Sequence, residues 1–125
     1  MLPLQLVQEV EILKNEGRAV EIIDADGVAN VVFHNYQLPT GYSKSTTALL
    51  LKMPLSYPNG RPDMFWTDEN LILKSGTIPK GTECIEEALG RKWRRFSWHP
   101  STWNPATCNL LTYLEFVNNR LAKFV

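Results

Sequence analysis

The stretch Trp93-Arg94-Arg95-Phe96-Ser97-Trp98-His99 sets a guanidinium, a hydroxyl and an imidazole at alternate positions. Alternate side chains of an extended strand share a face, so Arg95, Ser97 and His99 would point the same way, with Trp93 beside them. A serine hydroxyl attacks a carbonyl only when a base removes its proton, and an imidazole is the usual base. Arg95 in the same row would stabilise the negative charge that develops on the carbonyl oxygen. The chemistry is acyl transfer through an oxyester. The same residues also read as a polar sheet face without chemistry, and the sequence leaves both readings open.

Two thiols are the other nucleophiles. Cys84 is the better acyl carrier by element, but Glu83, Glu86 and Glu87 surround it with negative charge that works against a thiolate. Cys108 falls where the first turn of the last helix is expected, a position that favours a thiolate. The two cysteines fit no metal spacing and are too few for a disulfide framework. With two histidines and no paired acidic motif, no metal site is expected. Asp24, Asp26 and Gly27 share residue types with a calcium loop, but no further ligand follows, and the segment reads as a turn.

These side chains must be positioned by one domain, residues 1–125, long enough for a single core. Hydrophobic residues make up 44% and charged residues 21%, as in ordinary globular chains. Formal net charge is zero. The basic and aromatic run Arg91, Lys92, Trp93, Arg94, Arg95, Phe96, Trp98 could stack on and neutralise a single strand, but a neutral chain without a second basic cluster argues against nucleic acid. No apolar run or leader pattern points to a membrane or to secretion, so a reducing cytoplasm is the expected setting.

Leu6, Val10 and Leu13 recur at helical spacing in the first sixteen residues, Val7 and Ile12 widen the apolar face, and Gly17 stops the helix. Ala19 to Ile23 and Val28 to Phe33 flank Asp24-Ala25-Asp26-Gly27, a hairpin signal. Residues 34–44 read as a loop and Thr46 to Met53 as a central strand. Three prolines and a glycine make residues 54–62 irregular. Met64-Phe65-Trp66 reads as a short strand, Glu83 to Leu89 as a helical turn or two in a long connector, and Arg91 to His99 as the fourth main strand. Asn104 and Pro105 then open a helix whose Leu110, Leu114, Val117, Leu121 and Phe124 share one face. The expected fold is α+β: an N-terminal helix, a four-stranded antiparallel meander, a long connector and a C-terminal helix packed on the sheet.

That order, with Tyr57-Pro58-x-x-x-Pro62 after the third strand and Trp103-x-Pro105 before the last helix, resembles the ubiquitin-conjugating (UBC) superfamily. Pro39-Thr40-Gly41-Tyr42, Leu55-Ser56-Tyr57-Pro58, Pro62-Asp63-Met64-Phe65-Trp66, Trp93-x-Arg95-Phe96-Ser97-x-His99, Trp103-x-Pro105 and Leu110-x-Thr112-x-Leu114 narrow the resemblance to its bacterial prokaryotic family E. The resemblance implies a truncated UBC fold and the carriage of the C-terminal acyl group of a ubiquitin-like protein from an activating enzyme to a target amine, with no bound cofactor. In the cysteine-bearing enzymes a cysteine stands about eight residues before the Trp-x-Pro; here that residue is Arg95. Ser97, six residues before Trp103, is nearest in place, with His99 as its base and Arg95 as helper. Cys84 is the alternative nucleophile, at close to the usual distance after the Tyr-Pro pair. A catalytically silent UBC-fold module that binds the ubiquitin-like protein or its activating enzyme is the alternative from another class.

Overall fold

The structure, a computed structural model, describes residues 1–123. Phe124, expected on the last helical face, lies outside them. Helix α1 (Leu4–Asn15) buries Leu6, Val10 and Leu13, while Ile12 faces solvent. The helix ends where Gly17, at φ 89°, lets the Arg18 N–H reach back to the Leu13 carbonyl at 3.0 Å. Strands β1 (Val20–Ala25) and β2 (Val28–Gln37) then pair antiparallel across a two-residue turn. Asp26 and Gly27 both have positive φ there, as the tight hairpin turn requires.

Strand β2 runs through residues 34–37, where the sequence reads as loop. The register slips between Phe33 and Tyr36, and Asn35 takes φ 59°. A bulge absorbs the extra residue and lets pairing with β3 (Thr46–Pro54) resume. Strand β3 is central, flanked by β2 and by β4 (Phe65–Asp68). Beyond β4 lies β6 (Arg91–Phe96), and outermost is β5 (Ile85–Ala88). The sheet therefore has six antiparallel strands in the order β1-β2-β3-β4-β6-β5, not four. The expected helical turn at 83–89 is strand β5. Leu89 and Gly90 at positive φ form a second two-residue hairpin turn, and pairing with β6 overrides the helix propensity of Glu and Ala.

Helix α2 (Leu110–Leu121) starts later than Asn104 and Pro105 suggest. The Asn109 side chain accepts from the Thr112 N–H, and the Thr112 hydroxyl accepts from the Asn109 N–H, a complete capping box. Asn104 instead closes one isolated turn through its carbonyl, which accepts from Cys108 N–H at 2.7 Å. Cys108 thus precedes the helix and has no place in its first turn.

Leu110, Tyr113, Leu114, Val117 and Leu121 of α2 join the buried face of α1 and Val31, Leu49, Leu51, Phe65 and Phe96 of the sheet in one core cluster. Phe65 stacks on Phe96 at 4.7 Å between ring centres. On the other sheet face Val32, Leu50, Trp66, Ala88 and Trp93 form a second, smaller cluster. Lys52 lies over Trp66 and Arg91 over Trp93, so cationic side chains cover indoles there instead of a helix.

Candidate functional site

Strand β6 stops at Phe96. The Trp98 N–H turns back to the Phe96 carbonyl at 2.9 Å, a three-residue turn centred on Ser97. That turn breaks the alternation on which a shared Ser97–His99 face depends. Ser97 accepts a hydrogen bond from Arg95 Nε at 2.9 Å. His99 pairs through Nδ1 with Asp63, at the end of the proline-rich turn. Among the described residues Ser97 and His99 are not bonded to each other.

What the fold does bring together is Ser97 and Cys84. Residues 80–84 run beside residues 94–98 and are tied to them at almost every step. The Ser97 N–H donates to the Gly81 carbonyl at 2.9 Å, Arg94 Nη1 to the Thr82 carbonyl at 2.6 Å, and the Arg95 N–H to the Cys84 carbonyl at 2.9 Å. The Trp98 indole N–H reaches the Lys80 carbonyl at 2.9 Å. Gly81 is required here: its φ is +79°, and an added Cβ would stand 2.7 Å from the Trp98 indole nitrogen.

Arg95 is the hub of this arrangement. Its Nε bonds Ser97 Oγ, its Nη2 lies 3.3 Å from Cys84 Sγ, and its Nη1 bonds Glu86 Oε2 at 2.8 Å. The other Glu86 oxygen accepts the Trp66 indole N–H at 2.8 Å. The carboxylate nearest Cys84 on β5 is therefore engaged by a cation and an indole. Arg95 sits opposite Trp66 in the register, so the hub lies on the face of the smaller cluster. Cys84 is exposed and Ser97 half-buried.

His99 faces a separate cleft of about 460 Å³ between the 98–103 loop and α2, lined also by Ser101, Cys108, Thr112 and Tyr113. Arg120 lies over the Trp98 ring at 3.6 Å on one wall. Three contacts hold the proline-rich turn and the residues after it in place beside this cleft and α1. Trp103 donates its indole N–H to the Pro58 carbonyl at 2.8 Å, Tyr113 its hydroxyl to the Met64 carbonyl at 2.6 Å, and Tyr57 its hydroxyl to Glu9 of α1. Burial holds the Tyr57 and Tyr113 phenols well above their ordinary range, so both remain donors at neutral pH.

The basic and aromatic run has a structural role. Trp93 and Phe96 are buried, Trp98 is half-buried, Arg91 bonds Asp68 and Arg94 bonds the connector. Asp63 and Glu86, missed in the sequence, complete the pairs with His99 and Arg95. No short-range signal links them, because each lies on a different segment from its partner. Among the described residues no group of three His, Cys, Asp or Glu is placed to hold a metal, and no helix is long and apolar enough to cross a membrane.

This architecture, two helices on one face of an antiparallel sheet with Tyr-Pro and Trp-x-Pro segments meeting beside the His99 cleft, is that of a ubiquitin-conjugating-like protein. A model of prokaryotic E2 family E matches residues 5–124, and the chain belongs to that family. No curated protein and no solved structure matches it.

Proposed function

We propose that this chain accepts the C-terminal acyl group of a ubiquitin-like protein from an activating enzyme and passes it to an amine on a target, in the cytoplasm. The observation that carries the reading is Arg95, whose one guanidinium holds the Ser97 hydroxyl and the Cys84 thiol. A fixed cation beside a nucleophile stabilises the oxyanion of acyl transfer without reorganisation. Ser97 is the acyl carrier and Cys84 the alternative. His99, held by Asp63 at Nδ1 and not bonded to Ser97, is the base for the attacking amine and not for the hydroxyl. ATP is consumed by the activating enzyme, and the chain binds no cofactor of its own.

A second reading, a silent module that only binds the ubiquitin-like protein or its activating enzyme, is favoured by the pairing of His99 with Asp63 and not with Ser97. Incubation of the chain with a ubiquitin-like protein, its activating enzyme and ATP separates the two. Acyl transfer gives a covalent adduct that thiol reductant spares and alkali cleaves, absent in Ser97→Ala; a reductant-sensitive adduct absent in Cys84→Ala moves the role to the thiol. Binding without any adduct supports the silent module.

A further inference from the structure

The two bonds from Arg95 to its nucleophilic neighbours leave from Nε and Nη2. Those nitrogens form one edge of the planar guanidinium, the edge that grips a carboxylate through two parallel bonds. Here the two places of that carboxylate are taken by Ser97 Oγ at 2.9 Å and Cys84 Sγ at 3.3 Å. Parallel donors on adjacent nitrogens set their acceptors side by side, so hydroxyl and thiol are neighbours across one edge. The zipped 80–84 segment fixes this approach, since the Cys84 carbonyl bonds the Arg95 N–H and the Gly81 carbonyl bonds the Ser97 N–H, both at 2.9 Å. The remaining guanidinium nitrogen is held by Glu86, which locks the plane.

We propose that Cys84 and Ser97 act in series, as a relay in which the thiol receives the acyl group and the hydroxyl stores it. This rests on the acyl-carrier reading above and replaces its either-or choice of nucleophile with an order of events. Cys84, the exposed member, meets the incoming acyl donor, and thiol exchange with a donor thioester is close to balanced in energy. Ser97 Oγ then attacks the carbonyl carbon of the Cys84 thioester. A carbon–oxygen bond forms, the carbon–sulfur bond breaks, and the hydroxyl proton passes to the departing sulfur. No further reactant is needed. Arg95 faces both ends of the exchange and stabilises first the oxyanion and then the leaving thiolate. The product is an oxyester, less reactive than the thioester that supplied it and held by the less exposed residue.

The test uses the full chain and a short peptide α-thioester ending in glycine as acyl donor, with the modified residue located by tandem mass spectrometry over a time course. In the native sequence the peptide is expected first on Cys84 and then on Ser97. Ser97→Ala should accumulate the Cys84 thioester, and Cys84→Ala should lose Ser97 ester formation by about tenfold or more. Arg95→Lys, which keeps the charge but not the two-bond edge, should slow the second step more than the first. Circular dichroism melts check that each variant remains folded. Ser97 ester forming in Cys84→Ala at the native rate overturns the relay while leaving acyl carriage intact. A Cys84 thioester that persists with Ser97 present overturns it too. The acyl-carrier reading itself fails only if neither this donor nor an activated ubiquitin-like protein acylates either residue.

Discussion

Trp103 donates its indole N–H to the Pro58 carbonyl at 2.8 Å, while its ring lies 6.1 Å from that of Tyr57. One residue of the Trp-x-Pro segment therefore clamps the Tyr-Pro turn, whose peptide bond is cis, against the start of α2. Trp103→Phe keeps most of the ring and removes the donor. A single lost hydrogen bond costs about 1 kcal/mol, so the urea midpoint should fall modestly with the slope unchanged.

The position of the α2 cap is testable by a paired substitution. Asn109→Ala removes the side chain that accepts from Thr112 N–H and should cost about 1 kcal/mol. Asn104 is exposed and closes only an isolated turn, so Asn104→Ala should cost less than about 0.5 kcal/mol. Thermal melts of the two variants rank them directly.

Gly81 and Gly76 share a positive φ but differ in surroundings. Gly76→Ala meets no atom within 4 Å and should carry only the backbone cost, about 1–2 kcal/mol. Gly81→Ala adds a collision with the Trp98 indole and should cost clearly more. It should also free the 80–84 segment, seen as faster amide exchange at Ser97 and Arg95, whose N–H groups bond that segment.

Burial raises the Tyr42 phenol to about 12, against an opposing pull from Arg120. An unfolded tyrosine loses its proton near pH ~10. Between these values the unfolded chain binds fewer protons than the folded one, so this contribution is complete below pH ~10 and is lost as pH rises towards 12. Tyr36, Tyr57 and Tyr113 are shifted the same way, with burial the largest cause in each. Denaturation followed at pH 8, 10 and 11 should show an alkaline decline. Tyr42→Phe should lower stability at pH 8, through loss of the bond to the Leu121 carbonyl at 2.7 Å, and make the decline shallower.

The parts of the fold that were legible in the sequence rest on local signals. Asp26-Gly27 fixed a hairpin because only a few residue types tolerate two positive φ values in succession. Leu6, Val10 and Leu13 fixed a helix through spacing alone. What failed depends on partners distant in the chain. Ile85 to Ala88 has helix-favouring residues and becomes a strand only because Leu89-Gly90 folds it onto β6. Asn104-Pro105 imitates a helix start, and the capping pair Asn109–Thr112 lies five residues further on. At the site, Arg95 and Ser97 were legible as neighbours, but their link to Cys84 was not, because it is made by cross-strand pairing. Alternation along an uninterrupted strand would pair His99 with Ser97; the turn at Ser97 ends the strand and gives His99 to Asp63.

Acyl carriage at the Arg95 hub is tested most directly by mapping the residue that becomes attached when the chain is incubated with a ubiquitin-like protein, its activating enzyme and ATP. The expected site is Ser97 or Cys84, with attachment largely lost in Arg95→Ala while the variant still melts cooperatively. Attachment at Cys108 or at a lysine alone, or undiminished attachment in Arg95→Ala, would contradict it.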